Sequence, residues 1–243
     1  MASVADPSTG SLSIRSNDSS LARWMGALFV VTMLMGMVDA YVAGPILRGP
    51  LADIAAGRNL VLLGGLMRLF MSIGVVGIAI AFYPVARRFS ETAAISYLGL
   101  RIAECVLLAL GVCSHVYLIG LSESHASAGS TEAIFFSTQA SAALNFSNTT
   151  CQMAMTILGV SGMLQCGLLF RTSLVPRWIS GLGLFGYFLL FVSGPLDIVG
   201  IVDTVTGKGS LLYVPGGLFE VIFLPAWLFW KGYGPAAQTG KLP

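Results

Sequence analysis

Ser96-Tyr97-Leu98-Gly99-Leu100-Arg101-Ile102-Ala103-Glu104-Cys105-Val106-Leu107-Leu108 decides the fold. The apolar run continues unbroken through Gly111, His115 and Ile119. It is long enough for a hydrocarbon core of about 30 Å, which takes about 20 helical residues. Yet it carries an arginine, a glutamate and a histidine. At about 100° per residue, Tyr97, Arg101, Glu104 and His115 fall within one arc of about 60°. Charge inside a membrane span is costly, so such residues face protein or water and pair. One face of this helix is therefore expected to look into a bundle.

The rest of the chain has the same character. Its 243 residues are 56% hydrophobic and only 10% charged, against about 25% charged in an average soluble domain, and the mean hydropathy is +0.83. So few charges cannot cover a soluble core of this size. The fold class is all-α, a polytopic membrane protein in the lipid bilayer. Six apolar runs are long enough to cross: Trp24–Ala43, Leu60–Tyr83, Thr92–Leu121, Thr149–Phe170, Trp178–Ile201 and Leu211–Trp230. Lipid offers the backbone no partners, so each run must be a helix, and the architecture is a six-transmembrane-helix bundle. Gly44-Pro45, Tyr83-Pro84 and Val175-Pro176 punctuate ends, and Gly194-Pro195 predicts a kink near the end of the fifth run.

Residues 1–21, rich in Ser, Asp, Asn, Pro and Gly, read as a disordered tail. Residues 22–233 form the membrane domain, and 234–243 a C-terminal tail. Val38-Asp39-Ala40 imitates a signal cleavage site, but the apolar run passes beyond it to Ala43, so the first span is expected to stay uncleaved. Pro50–Ala56 followed by Gly57 reads as a short interfacial helix. Ser130–Asn145, with Ile134, Phe135 and Phe136, reads as a separate lid-like or interfacial helix.

Lys and Arg set orientation. With the N-terminus inside, inner segments hold Arg15, Arg23, Arg87, Arg88, Arg171, Arg177, Lys231 and Lys241, and outer segments only Arg48, Arg58 and Lys208. Both termini are therefore expected in the cytoplasm and the protein in the cytoplasmic (inner) membrane. Trp24, Trp178, Trp227 and Trp230 all fall near inner ends, as interfacial anchors do.

Several classes of chemistry lack their residues. The net charge of +2 is scattered, with no basic patch for nucleic acid. Only His115 and His125 are present, and there is no HExxH, Cys/His cluster, GxSxG or P-loop. No metal, cofactor or catalytic residue is assigned, and an enzyme is the least supported class. The four cysteines lack CxxC spacing and read as small apolar residues.

Two polar groups remain. Arg101 and Glu104 are three apart and can pair along their helix. Glu220 lies near the middle of the sixth run at a similar depth, so Arg101 is expected between Glu104 and Glu220, with Tyr97 and His115 on the same face. Farther out, Asp39, Arg68 and Asp197 come to similar depths and suggest an outer-leaflet group that His115 can join. Asn145, Asn148 and Gln152, where the fourth run begins, read as interhelical hydrogen-bonding residues. Gly36, Ala40 and Gly44 read as a face for close helix contact.

Three stretches together carry a resemblance. They are Ser90-Glu91-Thr92-Ala93-Ala94-Ile95-Ser96-Tyr97-Leu98-Gly99-Leu100-Arg101-Ile102-Ala103-Glu104, then Arg171-Thr172-Ser173-Leu174-Val175-Pro176-Arg177-Trp178-Ile179, then Leu218-Phe219-Glu220 with Trp227-Leu228 and Lys231-Gly232. They resemble the DUF4386 family of prokaryotic multi-pass membrane proteins, over roughly residues 22 to 233. The resemblance implies six helices and makes Arg101, Glu104 and Glu220 family features. It assigns them no activity. A structural or regulatory cluster, alone or with a protein partner or second copy, and a small-solute or proton-coupled transporter using that cluster both fit. A cavity reaching the central charges would favour the transporter, and a dry, fully paired centre the structural role.

Overall fold

The computed structural model describes residues 7–126, 130–204 and 207–234. Among them there are helices and connecting turns and no strands. In chain order the helices are α1 (Pro7–Val38), α2 (Gly44–Leu47), α3 (Leu51–Ala56), α4 (Arg58–Ala86), α5 (Glu91–Ala126), α6 (Ser130–Thr172), α7 (Arg177–Ile198), α8 (Val214–Leu218) and α9 (Leu224–Trp230). Two π turns, Asp39–Ala43 and Phe219–Phe223, join α1 to α2 and α8 to α9, and a 3₁₀ turn, Lys208–Tyr213, precedes α8. Six segments are long and apolar enough to cross a membrane: Asp18–Leu47, Arg58–Ala86, Glu91–Ala126, Glu132–Thr172, Arg177–Ile198 and Lys208–Trp230.

The helices pack as a chain of neighbours: α1 on α4, α4 on α5, α5 on α6, α6 on α7, and α9 back on α1. One core, with Met25, Phe29, Phe82, Tyr97, Leu169, Tyr187, Phe219 and Leu228, runs through the bundle. A smaller core of Leu47, Ile54, Val61, Leu118, Ile119 and Ala143 packs α2 and α3 against the far ends of α5 and α6. Ser122 pins α3 there, donating to the Leu51 carbonyl and accepting from the Ala55 N–H. Outward faces are apolar, with Leu34, Phe70, Ile80, Val106, Val116 and Phe188 exposed. Contiguous exposed apolar surface on this scale belongs in lipid.

Several boundaries differ from expectation for clear reasons. Ser130–Asn145 is not a separate helix but the first part of α6, which runs 43 residues. No Gly or Pro interrupts residues 130–158, and Thr138 and Ser141 turn their hydroxyls back to carbonyls four residues earlier, so polarity here does not break the helix. Helix α1 begins at Pro7. The Asp18 carboxylate accepts two hydrogen bonds from Arg88, at 2.7 and 2.8 Å. The first six residues, and the tail beyond Gly234, lie outside the described residues. Pro195 sits inside α7, which carries on to Ile198.

Two of the three family-like stretches have structural explanations at once. The Ser90 hydroxyl accepts from the Ala93 N–H and starts α5. In the α6–α7 turn, Ser173 adopts a positive φ of 51° and Leu174 and Val175 are fully buried. Gly234 then donates its N–H to the Leu174 carbonyl, docking the end of the last helix on this turn.

Candidate functional site: two cavities along one bundle

The central group is built on α5, α6, α7 and the second π turn. Arg101 Nη1 donates to Glu104 Oε2 at 2.9 Å, with both side chains almost wholly buried. Arg101 Nε donates to the Tyr97 hydroxyl at 3.1 Å, and that hydroxyl donates to Gln165 Oε1 on α6 at 3.1 Å. The guanidinium also lies over the Tyr97 ring, 5.4 Å from its centroid, a cation–π contact. Arg101 Nη2 and Gln165 Nε2 are buried without a hydrogen-bond partner.

Glu220 is arranged differently. Its Oε1 accepts from the Tyr187 hydroxyl of α7 at 2.5 Å. No Lys, Arg or His of the described residues forms an ion pair with it. Of the two glutamates between which Arg101 is expected, it bonds directly to Glu104, while the hydrogen bond to Glu220 comes from Tyr187. The geometry follows from helix direction. Arg101 and Glu104 are three apart on one regular helix and meet without tertiary help. Tyr187 is held by an edge-to-face contact with Phe219. It also occupies the space that a side chain at Gly162 would fill.

Arg101, Glu104 and Glu220 share a cavity of about 270 Å³ whose other walls include Phe29, Met33, Val75, Ile78, Leu158 and Leu190. It is an apolar chamber with two carboxylates and one guanidinium along its side.

The second group lies farther toward the α2–α3 end. Arg68 Nη1 reaches Asp39 Oδ2 at 3.5 Å, and its Nε donates to the Leu108 carbonyl at 3.3 Å. His115 belongs here, not with the central charges. Its Nε2 is 2.9 Å from Asp39 Oδ1 and its Nδ1 3.2 Å from the Gly111 carbonyl. It shares a helix face with Glu104, but eleven residues of rise put about 16 Å between them. Asp197 does not join Arg68. Its Oδ2 accepts from both the backbone N–H and the hydroxyl of Thr204, closing the turn after α7. A short local partner in the following turn satisfies it where it stands.

Gln152 acts as the sequence reading supposed, between elements: its Nε2 donates to Thr204, and it accepts from the Tyr213 hydroxyl. Tyr187 and Gln165 were missed by the sequence reading. Gln165 had a signal, an amide in mid-span. Tyr187 had none, because a tyrosine in an apolar helix reads as core. Among the described residues no three His, Cys, Asp or Glu side chains are grouped to hold a metal ion.

Both unusual carboxylates stand on π turns. Gly44 N–H bonds to the Asp39 carbonyl and Leu224 N–H to the Phe219 carbonyl, each five residues back. Pro45 and Pro225 follow immediately. Proline has no N–H and crowds the carbonyl four residues back, so the helix widens ahead of it.

The domain of unknown function DUF4386 matches residues 24–232, most of the chain, and the protein belongs to that family. No curated protein and no solved structure matches it.

Proposed function

We propose that this DUF4386 protein is a membrane-embedded carrier of the small-solute class, whose central cavity binds a small, largely apolar molecule bearing a cationic nitrogen. One observation carries the reading: Glu220 borders an apolar cavity, and among the described residues no Lys, Arg or His forms a direct ion pair with it. A buried carboxylate needs either a proton or a positive partner. Its neighbour Arg101 makes its direct ion pair with Glu104. The volume suits a small ligand, since a dry apolar cavity of about 150 Å³ accepts benzene. The structural role weighed from sequence falls to the other half of the cluster, because Arg101, Glu104, Tyr97 and Gln165 bond to one another across α5 and α6.

We place both termini in the cytoplasm and the protein in the cytoplasmic membrane. The Lys/Arg distribution supports this.

Thermal unfolding in lipid nanodiscs with phenethylamine and with phenethyl alcohol, a neutral analogue of similar shape, tests the binding. The amine is expected to raise the unfolding temperature of the wild type more than the alcohol does. In Glu220→Gln the two should act alike. Equal effects of amine and alcohol on the wild type overturn the reading.

A further inference from the structure

A second cavity, of about 300 Å³, lies toward the α2–α3 end and carries the opposite balance of charge from the central one. The central wall has one guanidinium, Arg101, and two carboxylates, Glu104 and Glu220. The second wall has two guanidiniums, Arg48 and Arg68, and one carboxylate, Asp39. His115 also borders it, and an imidazole adds no negative charge in either protonation state. The excess on this wall is therefore positive.

Neither arginine is fully used. The Arg68 side chain is 9% exposed. It carries five N–H donors. Its Nε donates to the Leu108 carbonyl, its Nη1 reaches Asp39 only at 3.5 Å, and its Nη2 is buried without a partner. A buried donor without an acceptor is costly. Room for this guanidinium is made by Gly111, where a Cβ would lie 2.6 Å from Nη2. Arg48 folds back over Gly44, its Nη2 3.0 Å from where a Cβ would stand. No Asp or Glu of the described residues forms an ion pair with it.

Neutral donors stand beside these charges. Ser147 and Asn148 of α6 border the same space, and among the described residues their side chains make no hydrogen bond. Gln152, Thr204 and Tyr213, on the same wall, bond to one another instead. Leu47, Met71, Leu108, Leu144 and Met155 make the rest of the space apolar.

We infer that the second chamber binds a small organic anion, a monocarboxylate with an apolar body, held by Arg48 and Arg68 with Ser147 and Asn148 as further donors. The planar fork of a guanidinium matches the two oxygens of a carboxylate. Asp39 leaves an excess of one positive charge among the Arg and Asp side chains, which suits one carboxylate better than a polyanion. The apolar walls take the body of the molecule. Glu220 is not on this wall, so the site does not depend on an amine bound in the central cavity.

Thermal unfolding in phosphatidylcholine nanodiscs, with phenylacetate and with its neutral analogue phenylacetamide, tests the site. Phenylacetate is expected to raise the unfolding temperature of the wild type more than the amide does. Glu220→Gln should keep that advantage, and Arg48→Gln should keep the difference between amine and alcohol, so each reading can fail alone. Arg48→Gln, and separately Ser147→Ala with Asn148→Ala, remove donors and leave every ion pair in place; the carboxylate's advantage should shrink in both. A lipid phosphate offers Arg48 the same oxyanion chemistry, so the comparison is repeated with phosphatidylglycerol in the nanodisc, where the advantage should persist. Equal effects of carboxylate and amide on the wild type overturn the proposal. So does an advantage undiminished in whichever donor variant folds, one lost in Glu220→Gln, or one abolished by the anionic lipid.

Discussion

Arg101→Leu should be among the most damaging single changes in the chain, and adding Glu104→Leu should recover most of the loss. Both side chains are about 1% exposed and joined at 2.9 Å. Removing the arginine strands a carboxylate where neither lipid nor water can solvate it, at a cost of roughly 3–5 kcal/mol. The lost hydrogen bond to Tyr97 adds about 1 kcal/mol. In the double variant no stranded carboxylate remains at position 104, and Tyr97 keeps its bond to Gln165. A coupling energy of about 2–4 kcal/mol is therefore expected for the pair. By contrast, Arg101→Leu with Glu220→Gln should couple more weakly than the Arg101–Glu104 pair, because no direct ion pair joins them and Gln can still accept from Tyr187. Reversible unfolding of the purified protein in mixed micelles measures both cycles. Additive losses for Arg101 and Glu104 would refute the argument, as would a larger coupling to Glu220 than to Glu104.

Gly162→Ala should cost about 1–3 kcal/mol by overpacking; it should also weaken amine discrimination, since the new methyl meets the Tyr187 ring that orients Glu220. The two effects are read by unfolding and by the amine–alcohol comparison. Pro225→Ala restores a backbone donor and removes a clash that disfavours a regular helix by about 3 kcal/mol, while losing buried ring surface worth about 1–2 kcal/mol. A net gain in unfolding stability is expected, and a net loss would show that the π turn is held by packing instead. Single cysteines at Ser19 and Gln238, in a chain whose native cysteines are replaced, should resist an impermeant maleimide in intact cells; labelling of either one reverses the proposed orientation.

Where a helix was regular, its residues could be read from sequence. Tyr97, Arg101 and Glu104 meet because 3.6 residues per turn brings them together, and no distant contact is needed to foresee it. Arg68 and Asp39 were legible by depth alone, since an intramembrane charge must find its opposite. Asp197 was matched to the same depth and still went elsewhere. A partner seven residues on, Thr204, satisfied it in the turn, and depth cannot compete with so short a loop. The 43-residue length of α6 was hidden because its polar first part looked like an end, although hydroxyls bonding back along the helix leave it intact. Tyr187 could not be found at all. Its role depends on Phe219, Gly162 and Glu220 from other elements, and none of these is near it in sequence.

The cations and anions of the two chambers are held by different kinds of backbone. Arg68, Arg101 and His115 stand on regular α-helical stretches of α4 and α5. Asp39 and Glu220, the two carboxylates that reach the chambers from the first and last spans, stand on π turns ahead of Pro45 and Pro225. The extra residue in each turn breaks the i, i+4 stacking of side chains, and it leaves carbonyls that the proline cannot bond. A regular helix fixes a side chain by many identical bonds, whereas a π turn beside a proline has fewer to lose. Changing the charge on Asp39 or Glu220 therefore acts on the least uniformly bonded backbone in its span. Those spans also pack on each other, α1 against α9. The first span contributes Phe29 and Met33 to the central cavity and Gly36 and Ala40 to the second. The first span thus lines both chambers, with Asp39 at one and Phe29 and Met33 in the wall of the chamber that Glu220 borders, while Arg68, Arg101 and His115 stand on α4 and α5.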